Sequence, residues 1–172
     1  MSDDQQEWES TVFGVLAHPM EARILLVPNR SGEGWGLPAA TLPRRIWFLH
    51  LGWVTDLMQA KLGISVTAVR YLELVTDELA QTVEGVYVLE NWAGEVGEIL
   101  GGRWVDRHEL RELTLAVPHQ RPLLEGYLAE VERGEVPVER PPWARMGWYG
   151  EAERWIEDVL PLMESAGLRA SA

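Results

Sequence analysis

Residues 35–64 read WGLPAATLPRRIWFLHLGWVTDLMQAKLGI. The first part of this stretch holds glycine and two prolines, the residues of a turning chain. From Ile46 the period changes. Trp47, Leu51, Val54, Met58 and Leu62 follow three- and four-residue spacing, which places them on one face of a helix. Gly63 supplies a stop just after the last turn, so the spacing predicts a helix ending at Leu62. A second apolar row, Ile46, Leu49, Trp53 and Leu57, runs along the adjoining flank. The stripe is therefore wider than a one-sided surface helix needs, and either the C-terminal tail or a second subunit is expected to cover it. A single carboxylate, Asp56, occurs in the whole stretch.

Working outward, residues 11–17 alternate loosely and 23–27 form a short apolar run, with HPME between them carrying turn residues. This pattern predicts a first hairpin. PNRSGEGWG, residues 28–36, reads as a sharply bending loop. Downstream, residues 65–75 and 83–92 are rich in β-branched and aromatic side chains and read as strands joined by DELAQT. A short strand is expected at 103–105. It runs into DRHELREL, where Asp106 can accept from first-turn amides and Glu109 stands three residues on, the pattern of a capping box. After Pro118, Leu124, Tyr127, Leu128 and Val131 share a helical face, and Gly134 ends it. EVPVERPP is an extended linker. Beyond it Trp148, Ala152, Trp155, Ile156 and Val159 form the apolar face of a last helix, which Pro161 is expected to end or bend. The resulting organisation is an acidic tail at 1–9, a domain at 10–134, and a linker with a Trp-rich helical extension at 135–172.

Composition narrows the chemistry. The chain has 172 residues, of which 47% are hydrophobic, enough to bury a core without staples. It has no cysteine, which removes disulfides, thiolate ligands and a cysteine nucleophile together. A net charge of -12 and the lack of a Lys/Arg stripe disfavour a nucleic acid polymer as partner. No apolar run approaches the ~20 residues needed to cross a bilayer, so no membrane partner is expected and the assigned location is cytoplasmic.

The order of WGLP (residues 35–38), a helix ending in LGI (62–64), strands and then RWVDRHEL (103–110) resembles the Nudix hydrolase family over residues 10–115. The resemblance implies a Nudix-like α/β/α sandwich with a mixed β-sheet, here followed by the C-terminal helical extension. The family's helix ends in the pattern Arg-Glu-hydrophobic-x-Glu-Glu-x-Gly-hydrophobic, whose glutamates bind divalent metal. Counted back from Gly63 and Ile64, the glutamate pair falls on Ala60 and Lys61, and the preceding arginine and glutamate fall on Asp56 and Leu57. Hard divalent cations neutralise the charge that builds on a cleaving pyrophosphate, and they require oxygen ligands. Ala60 supplies none and Lys61 brings repulsion. No catalytic residue and no metal ligand is therefore assigned.

Other constellations are thin. His18, His50, His108 and His119 include no pair at i, i+4. Ser31 lacks the frame of a nucleophile elbow. Trp35, Arg44 and Arg45 are the candidate ligand-binding residues, the two arginines because they precede a helix start, where amides and dipole favour anions. Trp47, Trp53, Trp148 and Trp155 are the candidate interface residues of a homodimer. The expected function is a Nudix-fold module that binds a small phosphorylated or nucleotide-like ligand, or a protein, without magnesium-dependent pyrophosphohydrolysis and without a cofactor. The rival reading is a divergent hydrolase of nucleoside-diphosphate-linked substrates, holding magnesium through residues outside the helix.

Overall fold

The computed structural model describes residues 8–29, 32–46, 51–91, 97–134 and 148–165, with side chains in the last segment described at 152 and 154–161. Seven strands and four helices follow one another as β1 (Glu9–Leu16), β2 (Ile24–Pro28), β3 (Trp35–Gly36), β4 (Ala39–Leu42), α1 (Leu51–Leu62), β5 (Val66–Asp77), β6 (Thr82–Asn91), β7 (Arg103–Val105), α2 (Arg107–Glu112), α3 (Arg121–Arg133) and α4 (Trp148–Ser165). A 3-10 turn at Pro118–Gln120 leads into α3.

Four strands form a mixed sheet in the order β4-β1-β6-β5, in which β1 and β6 run parallel and the other pairs antiparallel. The other three form an antiparallel sheet in the order β3-β2-β7. The expected first hairpin is corrected by this pairing. β1 and β2 belong to different sheets and are joined by the antiparallel Ala17–Ile24 bridge and by His18 N–H donating to Arg23 O at 2.9 Å. The HPME segment turns the chain between sheets, and His18 Nδ1 accepts the backbone N–H groups of Met20 and Glu21 at 3.2 and 3.1 Å. β3 and β4 fall within and just after the stretch read as loop, because strands of two and four residues are too short to show alternation.

Alternation along the strands divides the interior into two apolar layers. Val12 and Leu16 of β1 with Tyr87 and Leu89 of β6 face α1, where they meet Val54, Met58 and Leu62. Val15 of β1 with Val86 and Val88 of β6 face the other way, onto Leu110 of α2 and Leu124, Tyr127 and Leu128 of α3. Helices on both faces of a mixed sheet make the α/β/α sandwich. Burial on both sides explains why β6 reads as the unbroken run VYVL. α1 lies so close to the sheet that a Cβ at Gly14 would sit 2.6 Å from both Leu89 Cδ1 and Met58 Cε.

Burial pushes two tyrosines further from ionisation. Loss of water raises Tyr87 to about 12, with Tyr71 adding to the shift. Tyr127 is raised further, chiefly by burial; the nearby Arg70 charge opposes this, and Glu130 and Glu90 add to it. Arg70 pairs with Glu130 at 2.5 Å and lies 5.5 Å from the Tyr127 ring, clamping β5 to α3.

Asp106 caps α2 in the expected capping box, accepting Glu109 N–H at 2.8 Å while Glu109 accepts Asp106 N–H at 3.0 Å. Gly134 closes α3 at φ 63°. The helix α4 runs through Pro161 to Ser165, so proline does not end it. The missing N–H falls near the helix end at an exposed position, where water can serve the freed carbonyl. Among the described residues no helix is long and apolar enough to cross a membrane.

Candidate functional site

The WGLP segment is positioned by its neighbours on both sides. Asn29 N–H donates to Gly34 O at 3.0 Å, closing the loop between β2 and β3. Gly34 has φ 76°, and a Cβ there would meet Thr114 O at 2.8 Å, so this position needs glycine. Trp35 then pairs with the segment after α2, donating to Thr114 O at 2.9 Å and accepting from Ala116 N–H at 2.8 Å. Gly14 N–H donates to Pro38 O, and β4 continues along β1 with Ala39 opposite Phe13.

These constraints leave a cleft of about 650 Å³ between the WGLPAA segment and the end of α1. One wall is Gly36, Leu37, Pro38 and the first residues of β4, Ala39, Ala40 and Thr41. Val27, Pro28 and Asn29 from the end of β2, with Phe13, form another. Leu100, Ala116, Val117 and Lys61 complete it. Lys61 is the one charged residue in the lining, is half-buried, and makes no ion pair among the described residues.

Of the residues that resemblance aligns with the family's glutamates, Lys61 lines the cleft, whereas Ala60 is exposed and Leu57 is half-buried against the α1 layer; Asp56, at the arginine position, is exposed and off the cleft. Acids described outside the helix do not replace them. Glu78 pairs with Arg45, Asp77 caps the β5–β6 turn through Leu79 N–H and Ala80 N–H, and Glu98 is exposed. Glu90 faces the Tyr127 side of the sheet, and Glu95 lies outside the described residues. Among the described residues no group of three or more His, Asp or Glu is placed to hold a metal ion. The described cleft residues therefore do not fit a divalent cation: they offer no acidic oxygen and one ammonium.

The sequence-derived candidates scatter. Arg44 and Arg45 follow β4, and the described part of α1 begins only at Leu51. Ser10 Oγ donates to Arg44 O at 2.7 Å and accepts Ile46 N–H at 3.1 Å. Arg45 pairs with Glu78 at 3.0 Å and lies 4.1 Å from the Trp8 ring centroid. Neither arginine lines the cleft, and neither does Trp35, although Gly36 beside it does. Trp35 packs on the α2–α3 layer with the Arg103 guanidinium 5.7 Å from its ring. Trp53 and Leu57 are half-buried against the chain's own α1 layer. Trp155 is 64% exposed. Trp47 lies outside the described residues; Trp148 starts α4, and its side chain is likewise outside the description.

A second hollow, of about 480 Å³, lies between the HPME turn and α2. Its charges are matched: Arg23 pairs with Glu21 at 3.1 Å and Arg107 with Glu132 at 2.8 Å, while Arg111 reaches Glu125 at 3.4 Å. Asp106 sits there as the helix cap. Its carboxyl is held below the usual range, first by the Glu109 N–H, with partial burial opposing and the His108 N–H and Arg23 charge assisting.

No protein-family model matches this sequence, and no curated protein matches it. Solved structures do. An ADP-ribose pyrophosphatase of Streptococcus suis superimposes with a TM-score of 0.52 at 16% identity, over 74% of this chain and 94% of that one. The MutT protein of Methanosarcina mazei gives 0.51 at 15% identity, over 73% and 96%. A Sinorhizobium meliloti protein with a provisional oxidoreductase assignment gives 0.56 at 17% identity; the match covers 76% of this chain and 42% of that longer one. At these identities the likeness is one of fold. The mixed sheet between α1 and the α2–α3 pair, and its match to the pyrophosphatase and MutT structures, give this chain a Nudix-like fold.

Proposed function

We propose that this chain is a Nudix-fold ligand-binding module that does not carry out magnesium-dependent phosphoanhydride hydrolysis. The observation that carries this reading is the lining of the cleft at the end of α1, whose one charge among the described residues is the Lys61 ammonium. Cleavage of a diphosphate concentrates negative charge, and catalysis in such a site relies on hard cations held by oxygen ligands. A cleft whose described side chains are mostly small and apolar, with Asn29, Thr41 and one ammonium as the polar groups, can hold a ligand but lacks that charge clamp.

The test is calorimetric titration of the full chain with magnesium and manganese, alongside phosphate release from ADP-ribose and a panel of nucleoside triphosphates. The expected result is no saturable metal binding at the cleft and no release above the buffer rate. Metal-dependent turnover would overturn the reading in favour of a divergent hydrolase with ligands outside α1.

A further inference from the structure

We infer that the cleft takes, without any metal ion, a ligand with one terminal oxyanion on an apolar body, and that Lys61 is the residue that binds the oxyanion. This deepens the proposed ligand-binding role and rests on it. Three observations point the same way. First, Lys61 is half-buried, and among the described residues the lining contains no other charge that would cancel its ammonium. A cation partly withdrawn from water attracts an anion more strongly than one on an open surface does. Second, β4 is the outer strand of its sheet, so alternate residues along Ala39–Leu42 turn N–H and C=O groups away from β1. Ala39, Ala40 and Thr41 also line the cleft, and the short alanine side chains let an oxyanion approach that backbone. Third, Phe13, Leu37 and Leu100 provide apolar wall, which suits an apolar body.

The same observations limit the number of anionic groups. One ammonium matches one anionic head, and the chain's net charge of -12 opposes entry of a polyanion. A diphosphate or triphosphate would bring charge that nothing in the lining answers. The class is therefore an organic phosphomonoester or carboxylate, the shared chemistry being the terminal oxyanion.

Binding of 1-naphthyl phosphate, 1-naphthoate and neutral 1-naphthol to the full chain, measured by equilibrium dialysis in EDTA, tests this. The expected result is binding of at least one of the two anions, at least tenfold weaker for 1-naphthol. A preference for the phosphate assigns a phosphomonoester, and the reverse a carboxylate. Lys61→Met is expected to weaken anion binding at least tenfold and Lys61→Glu at least as much, whereas Lys61→Arg stays within about threefold of the parent chain. Arg44→Ala, at an exposed arginine off the cleft, is the control and is expected to change nothing. Far-UV circular dichroism checks that each variant is folded. Equal affinity in the parent chain and Lys61→Met, equal binding of naphthol and the anions, or no binding of either anion would overturn the inference. These failures differ from failure of the underlying reading, which only metal-dependent turnover signals.

Discussion

Two hollows among the described residues are opposites. The one between the HPME turn and α2 is crowded with charge, and its arginines each have a carboxylate partner. Among the described residues, the cleft beside α1 has one charge and no partner for it in the lining. Paired ions at a surface neutralise one another and contribute little, whereas one uncancelled ion in apolar surroundings is a demand that something else must meet. Charge density alone is thus a poor guide to a binding site; the lack of cancellation is the better one.

The largest effect is expected beneath the cleft. Met58 is fully buried where α1 meets the sheet. Met58→Ala should cost about 2–5 kcal/mol in urea unfolding, since the cavity cannot close against the strands. By loosening the helix that carries Lys61 it should weaken the cleft and leave the charged hollow intact. Next, Ala40→Glu would make the cleft resemble its opposite by giving Lys61 an internal counter-ion. Anion binding should fall roughly tenfold or more, about 1.4 kcal/mol, with a much smaller change in stability.

In the charged hollow the expected effects are smaller. Asp106→Ala removes the α2 cap and should cost about 1 kcal/mol. Because the folded carboxyl lies below its ordinary value, the stability it adds is present above the unfolded carboxylate range and is lost as pH falls through the folded pKa. An unfolding series run downward from pH 5 should therefore show the parent chain and Asp106→Ala converging in acid. Arg107→Ala breaks an ion pair whose side chains are 37% and 35% exposed, and should cost less than about 1 kcal/mol, less again in high salt. A large loss there would mean that the hollow does more than cancel its own charge.

The parts of this molecule that were legible in the sequence are those written in local periodicity. The Val54, Met58, Leu62 row, the Asp106 and Glu109 box, and Gly134 at the end of α3 are each fixed by neighbours within one or two turns, and each is found as read. The resemblance carried by WGLP, LGI and RWVDRHEL led to the fold that the solved structures share. The sheet assignment of β1 and β2 was not legible, since pairing joins residues far apart and a short apolar run does not say which sheet it enters. For the same reason Arg44 and Arg45 looked like an anion site beside a helix start, yet Arg45 turns to Glu78 and Trp8, residues that no local pattern brings near it. Lys61 was visible as a substitution at a carboxylate position. Its walls were not, because Leu100, Ala116 and Val117 reach the cleft from the far end of the domain.

The parallel register of β1 with β6 has a consequence for biosynthesis. Glu9 to Leu16 align with Thr82 to Leu89, so the strand made first cannot complete its hydrogen bonding until β6 has been made. Pairing over so long a loop delays folding. On the ribosome, the emerging N-terminal half would carry VFGVLA as an unpaired apolar segment, open to off-pathway association until β6 has followed it.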